Sequence, residues 1–393
     1  MRSSRSKRNR GAVALAAVLM GTALTTGSAF SAPFAVGETV LDGLANPRSV
    51  VVDDDGALWV VEAGKGGSGP SIVDDNGETV FFGNSGQVTR TIGGVTTVVA
   101  SGLPSLASVP GFAATGAHDI TFAPDGTPHI LFGFGADPAL RSAFAGEQDG
   151  GVFGSLVALE AGGLVKVADI AAVEQTNPDG GGLNSNPYGV VASGDGFVVS
   201  DAGGNTVLDV AADNTVSVRS VLPVSPNPLP FGPPVYESVP TGIVEDQDGN
   251  ILVSELTGFP FPPGSAKIYE VAADGSLTEF ASGLTNIIDL AIDRDGTLLA
   301  LELDSDSLVG PEAFGSLFAI DDLGVKTLLV AGLLNPTSVA VGADGTIYIT
   351  ENGLSPNGGR LVALSEVPLP AALPLMACGM ASIMAASRRR RRA

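Results

Sequence analysis

IDLAIDRDGTLLALELD, residues 288–304, is the stretch on which the fold turns. It reads as an apolar strand, an Asp-Gly turn and a second apolar strand. Asp-Gly between β-rich runs is a strong hairpin signal, because glycine reaches positive φ without steric cost. The chain carries five near-copies: RSVVVDDDGALWVVEAG (48–64), HDITFAPDGTPHILFGFG (118–135), YGVVASGDGFVVSDAGG (188–204), TGIVEDQDGNILVSELTG (241–258) and TSVAVGADGTIYITENG (337–353). Their turn glycines are Gly56, Gly126, Gly196, Gly249, Gly296 and Gly345.

A second hairpin follows most copies, as in AKIYEVAADGSLTEFASG (266–283) and GSLFAIDDLGVKTLLVAG (315–332). Each unit therefore holds four strands. Four antiparallel strands repeated around an axis predict an all-β fold, a six-bladed β-propeller of four-stranded blades over residues 36–365. Tandem separate sheets would leave open edges ready to pair with other chains.

The last unit has a third strand, GRLVALS (359–365), and no fourth. ETVLDG (38–43) resembles the fourth strands LTEFASG (277–283) and KTLLVAG (326–332). The N-terminal strand is thus expected to pair in the last blade and close the ring. No disulfide can do that work, since the single cysteine is Cys378.

Composition agrees with short strands and many turns: Gly 53, Pro 26 and only 16 % charged residues. The formal net charge is -22. Ten of the 20 basic residues lie in MRSSRSKRNR (1–10) and RRRRR (388–392), so the body sets ten Lys+Arg against 42 Asp+Glu. A polyanion would be repelled, which argues against nucleic-acid binding.

Residues 1–31 have a basic start, an apolar run and small residues before SA, the pattern of a secretory signal peptide. Residues 367–393 hold VPLPA (Val367, Pro368, Leu369, Pro370, Ala371), an apolar stretch and an arginine-rich end. The stretch is at the short limit for a membrane span, and the arginines should stay cytoplasmic. This tail resembles a VPLPA-type relative of the PEP-CTERM sorting signal. That implies an exosortase-type partner, a membrane-held stage before processing, and a cell-surface or extracellular place in a Gram-negative bacterium. A plain C-terminal anchor is the other reading.

Long loops collect on one face of the expected ring: residues 64–84, 135–154, 171–187, 256–266 and 303–315. Loops gathered on a rigid scaffold are where binding usually resides. On that face an acidic residue ends the second strand of five blades: Glu62, Asp201, Glu255, Glu302 and Glu351, with Gly133 in the other blade. Such carboxylates are either hydrogen-bonded by loop N–H groups or bridged by a cation, for which calcium is the candidate. His118 and Asp119 open one first strand, and Asp289 matches Asp119 three blades on. They are candidate ligand-binding residues at the same mouth of the channel. GFPFPPG (258–264) offers Phe259 and Phe261 on a proline-stiffened loop. No G-x-S-x-G, H-E-x-x-H or P-loop motif is present.

SNPYGV (185–190), SDAGGN (200–205), ELTGFPFPPGSAKIYEV (255–271) and SGLTNIIDLAID (282–293) together resemble the ScyD/ScyE family. VSDAGGNTVLDV (199–210) is similar to the NHL repeat. The resemblance implies an exported six-bladed propeller and speaks to fold and place more than to activity. Two functional expectations follow. One is a non-enzymatic binding module for a glycan, protein or small molecule, with extracellular polysaccharide or a surface protein as partner. The other is a metal-dependent hydrolase or lactonase with Glu62, Asp119, Asp201 and Asp289 around a channel ion, Asn286 and Asn335 standing before first strands.

Overall fold

The computed structural model describes residues 32–311 and 313–367. The expected export signal, and the sorting motif from Pro368 onward, lie outside the described residues. Among the described residues no helix is long and apolar enough to cross a membrane.

Six antiparallel sheets, each with the four expected strands, form the blades of a β-propeller. Innermost strands run Pro47–Val52, Ala117–Phe122, Pro187–Ser193, Pro240–Glu245, Ile287–Ile292 and Ser338–Val341. One apolar cluster fills each of the six junctions between neighbouring blades. Alternation explains this: both faces of every blade are covered by another blade, so inward and outward side chains are alike apolar.

The turns behave as their chemistry dictates. Asp53 Oδ1 accepts the amides of Asp55 and Ala57, and Asp293 Oδ1 those of Asp295 and Thr297. Such Asx bonds let the side chain satisfy amides that the turn strips from the ladder. Blade three departs from expectation. Gly196 opens the second strand opposite Ser193, and the left-handed residue is Gly194 at φ 57. SGDG offers two glycines, and the tighter two-residue turn uses the first.

Closure follows the expected route over a longer stretch. Phe34–Leu44 pairs antiparallel with Gly359–Glu366, from Phe34 opposite Glu366 to Leu44 opposite Gly359. Leu44 and Leu361 then pack on Val50, Leu58 and Val60 of the first blade. The earliest described strand thus seals the junction between last and first blades.

The insertions have their own structure. Residues 64–84 add a strand, Ser71–Val73, and lengthen the next one into a long hairpin, Thr79–Ile92 with Val95–Ala107. Its base packs Phe82 against Phe144 and Phe153 from 135–154, all buried, with rings 5.7 and 6.2 Å apart. The sequence reading missed a further excursion between blades three and four. There Ser225–Pro226 pairs with Val235–Tyr236.

Candidate functional site

Equivalent positions of the six innermost strands build two stacked rings around the axis. The first contains Arg48, His118, Tyr188 and Thr337. The second is Ser49, Asp119, Gly189, Gly242, Asp289 and Ser338.

In the second ring the carboxylates fasten blades together. Asp119 accepts from Ser49 Oγ (2.7 Å) of blade one and the Val190 amide (2.8 Å) of blade three. Asp289 accepts from Ser338 Oγ (2.7 Å) and the Val339 amide (2.9 Å) of blade six. Ser338 Oγ in turn accepts from the Val50 amide of blade one (3.1 Å). Burial pushes the Asp119 carboxyl up to about 6. Burial, with repulsion from Asp119 opposite, pushes Asp289 up to about 7. The pair faces the channel and is protonated more readily than ordinary carboxyls.

His118 does not pair with Asp119. Its Nδ1–H donates to the Pro187 carbonyl of blade three (3.0 Å). A carbonyl can only accept, so Nε2 presents a lone pair. Burial, aided by the Arg48 charge, pushes His118 down to about 3, which keeps the ring neutral. Three buried atoms have no partner here: Arg48 Nε, His118 Nε2 and Tyr188 Oη. They are a mixed set, a donor, an acceptor and a hydroxyl, around a cavity of about 10 Å³. That is the scale of one water molecule. Towards the Asp-Gly turns the channel widens to about 240 Å³, walled by Val52, Thr121, Val244 and Val341 with Asp119 and Asp289 at its inner end. Of the candidates expected at the loop-rich mouth, Asp119 and Asp289 therefore face a channel that is wide at the opposite face. Arg48, His118 and Tyr188 fill the loop-rich end.

The strand-end carboxylates are not brought together. Each stays in its own blade, 1–2 % exposed. Glu62 accepts the Ala45 amide (2.7 Å), Glu302 the Thr285 amide (2.8 Å) and Glu351 the Leu334 amide (3.0 Å). In all three the donor lies 17 residues upstream, in the chain entering the same blade. Asp201 takes the Asn186 amide and Ser185 Oγ in the same way. Glu255 accepts from the Lys267 amide instead, and its Oε1 is unpartnered. Glu62, Asp201, Glu302 and Glu351 thus latch the entering loop to the end of strand two, and Glu255 binds the third strand of its own blade. Among the described residues no three His, Cys, Asp or Glu side chains are grouped to hold a metal. The repeated 17-residue spacing was a sequence signal for the latch.

Blade two lacks the carboxylate for a steric reason. A Cβ on Gly133 would overlap the His118 ring and lie 2.7 Å from Asn186 Oδ1. The imidazole occupies the latch space.

On the loop-rich face the Phe-Pro loop meets the missed excursion. Phe259 is 6.4 Å from Phe231 and 6.1 Å from Phe261, ring centre to ring centre. Phe231 and Phe259 are 49 % and 50 % exposed. Asn227 Nδ2 donates to the carbonyls of Phe231 and Pro233, and Ser307 Oγ to that of Phe261. Both loops are tied down, and two phenyl faces remain in solvent.

No known family profile matches the chain, and no curated protein matches it. Solved structures do share the architecture. A gluconolactonase from Xanthomonas campestris is 12 % identical, over 85 % of this chain and 96 % of that one, with a TM-score of 0.50. A protein of unknown function from Bacteroides thetaiotaomicron is 10 % identical, over 85 % and 73 %, with a TM-score of 0.50. A virginiamycin B lyase from Staphylococcus aureus is 12 % identical, over 86 % and 99 %, with a TM-score of 0.46. At these identities the likeness is one of fold.

Proposed function

We propose that this protein is an exported, surface-associated propeller that acts as a binding module through its loop-rich face. The observation that carries the reading is the pair Phe231 and Phe259, half exposed on loops already held by hydrogen bonds. Apolar rings kept in water on pre-ordered loops lose little entropy on binding, and flat aromatic faces suit sugar rings or apolar side chains. The axial polar groups support the same reading, because Asp119, Asp289, Ser49 and Ser338 are engaged in holding blades together. The basic-apolar N-terminus and the VPLPA tail support export and exosortase-type processing, as does the resemblance to the exported ScyD/ScyE propellers.

Extracellular polysaccharide is the first ligand to try. The purified protein should co-sediment with polysaccharide from the producing bacterium, and the Phe231→Ala/Phe259→Ala double variant should lose at least tenfold in affinity. Equal binding by a folded double variant would remove the aromatic patch from the function. One observation favours the second reading, a metal-dependent hydrolase or lactonase: two carboxyls of raised pKa face one another across an accessible channel. Lactone turnover that requires an added divalent ion and disappears in Asp289→Asn would favour it.

A further inference from the structure

The insertion 171–187 contains a second polar cluster, away from the axis and the phenylalanines. Glu174 is 3 % exposed, and its Oε1 has no hydrogen-bond partner. Asn177 Oδ1 and Asn184 Oδ1 are likewise buried and unpartnered. Their amide nitrogens are in use: Asn177 Nδ2 donates to the Gly181 carbonyl (3.0 Å) and Asn184 Nδ2 to Asp75 Oδ2 (3.1 Å). Those bonds orient the oxygens the other way. Asp179 completes the group, held by the Gly181 amide and by Asn205 Nδ2, both at 2.8 Å.

The two asparagine oxygens can only accept, and the ionised Glu174 carboxylate likewise only accepts. This differs from the mixed set around the axis, which one water can satisfy. The surroundings add negative charge, since Asp179 and Asp201 lie near enough to repel the Glu174 carboxylate. Among the described residues no Lys or Arg forms an ion pair with Asp75, Glu174, Asp179, Asp201 or Glu237. Glycines let the backbone come close to these oxygens. A Cβ on Gly203 would lie 2.8 Å from Asn184 Oδ1, and one on Gly204 would lie 2.6 Å from Glu174 Oε2. Buried acceptors without donors, beside carboxylates without bases, call for a cation.

We propose that this cluster binds a calcium ion through side-chain oxygens of Glu174, Asn177, Asp179 and Asn184, fastening the 171–187 insertion to blade three. The donor set decides the metal. Carboxylate and amide oxygens suit calcium, whereas zinc prefers nitrogen and sulfur, and magnesium asks for a stricter octahedron. Glu62, Glu302 and Glu351 at the strand ends, by contrast, have both carboxylate oxygens hydrogen-bonded within their own blades.

The test is thermal unfolding of the purified protein after chelator treatment, with calcium added, or magnesium at equal ionic strength. Calcium at 100-fold over its Kd should raise the melting temperature by about 5 °C, and magnesium by much less. Equilibrium dialysis should find one calcium per chain. Glu174→Gln should melt above the wild type without calcium, because a repelled charge is gone, and should gain little from calcium. Asn184→Asp should do the reverse, melting lower without calcium and gaining more with it. No calcium-specific shift in the wild type would overturn the assignment, as would an undiminished shift in Glu174→Gln. If that variant fails to fold, Asn184→Asp still decides: a gain no larger than wild type counts against the site.

Discussion

Gly133 shows how one residue answers to its neighbour across a blade junction. Five blades carry a carboxylate at this position, so restoring it by Gly133→Glu looks like an improvement by repeat consensus. The His118 ring fills that space, and Asn186 Oδ1 stands beside it. The variant is expected to lose about 2–3 kcal/mol by overpacking and by breaking the bond from His118 to Pro187, measured by urea unfolding. The axial residues set a pH response as well. Asp119 and Asp289 rise to about 6 and about 7 from 3.8, so the folded protein holds protons that the unfolded chain has released. Their contribution is greatest at low pH and is lost as pH rises through 6 to 7. His118, lowered from 6.5 to about 3, acts in the opposite sense, but only below about 6.5. Between pH 6.5 and 8 the carboxyls therefore act without opposition from it. The melting temperature is expected to fall over that range, and Asp289→Asn to flatten the fall. A profile identical to wild type would show that Asp289 is not among the titrating groups.

Among the elements, the closing strand matters most. Phe34–Leu44 covers the outer edge of the last blade along its whole length and places Leu44 in the junction with the first. Removing residues 32–44 would bare the edge of Gly359–Glu366 and open one of six apolar seams. The expected result is a drop in melting temperature of 10 °C or more, by rough extrapolation from the cost of an opened seam, together with self-association seen by gel filtration. A shortened protein that stays monomeric and melts as before would show that five seams suffice. This closure was legible in the residues, because ETVLDG copies the fourth strands of other blades. The strand-end latches were half legible. Their acidic positions stood out, but whether five carboxylates converge on an ion or each serves its own blade depends on which amide lies within 3 Å. Only the backbone path of the entering loop settles that.

The whole molecule is a ring of apolar seams under a strongly negative surface. Ten basic residues face 42 acidic ones between residues 32 and 367, and among the described residues seven ion pairs leave most carboxylates without a basic partner. Self-repulsion of this kind is screened by salt, with a Debye length of about 10 Å at 0.1 M. Raising sodium chloride from 10 to 300 mM should therefore lift the melting temperature by a few degrees, about as much in Glu174→Gln as in wild type. That separates general screening from a specific calcium effect.

The amino-acid sequence by itself determined the blade count, the strand order, the closing strand and the side on which loops accumulate. Each of these rests on local periodicity, turn chemistry or copying, which neighbouring residues express without help. Tertiary structure alone decided that His118 turns from Asp119 to a carbonyl of the next blade. It also brought Phe231 to Phe259, and left the oxygens of Glu174, Asn177 and Asn184 without donors. Those facts depend on distances between segments far apart in the chain, and the packing of one blade on the next sets such distances.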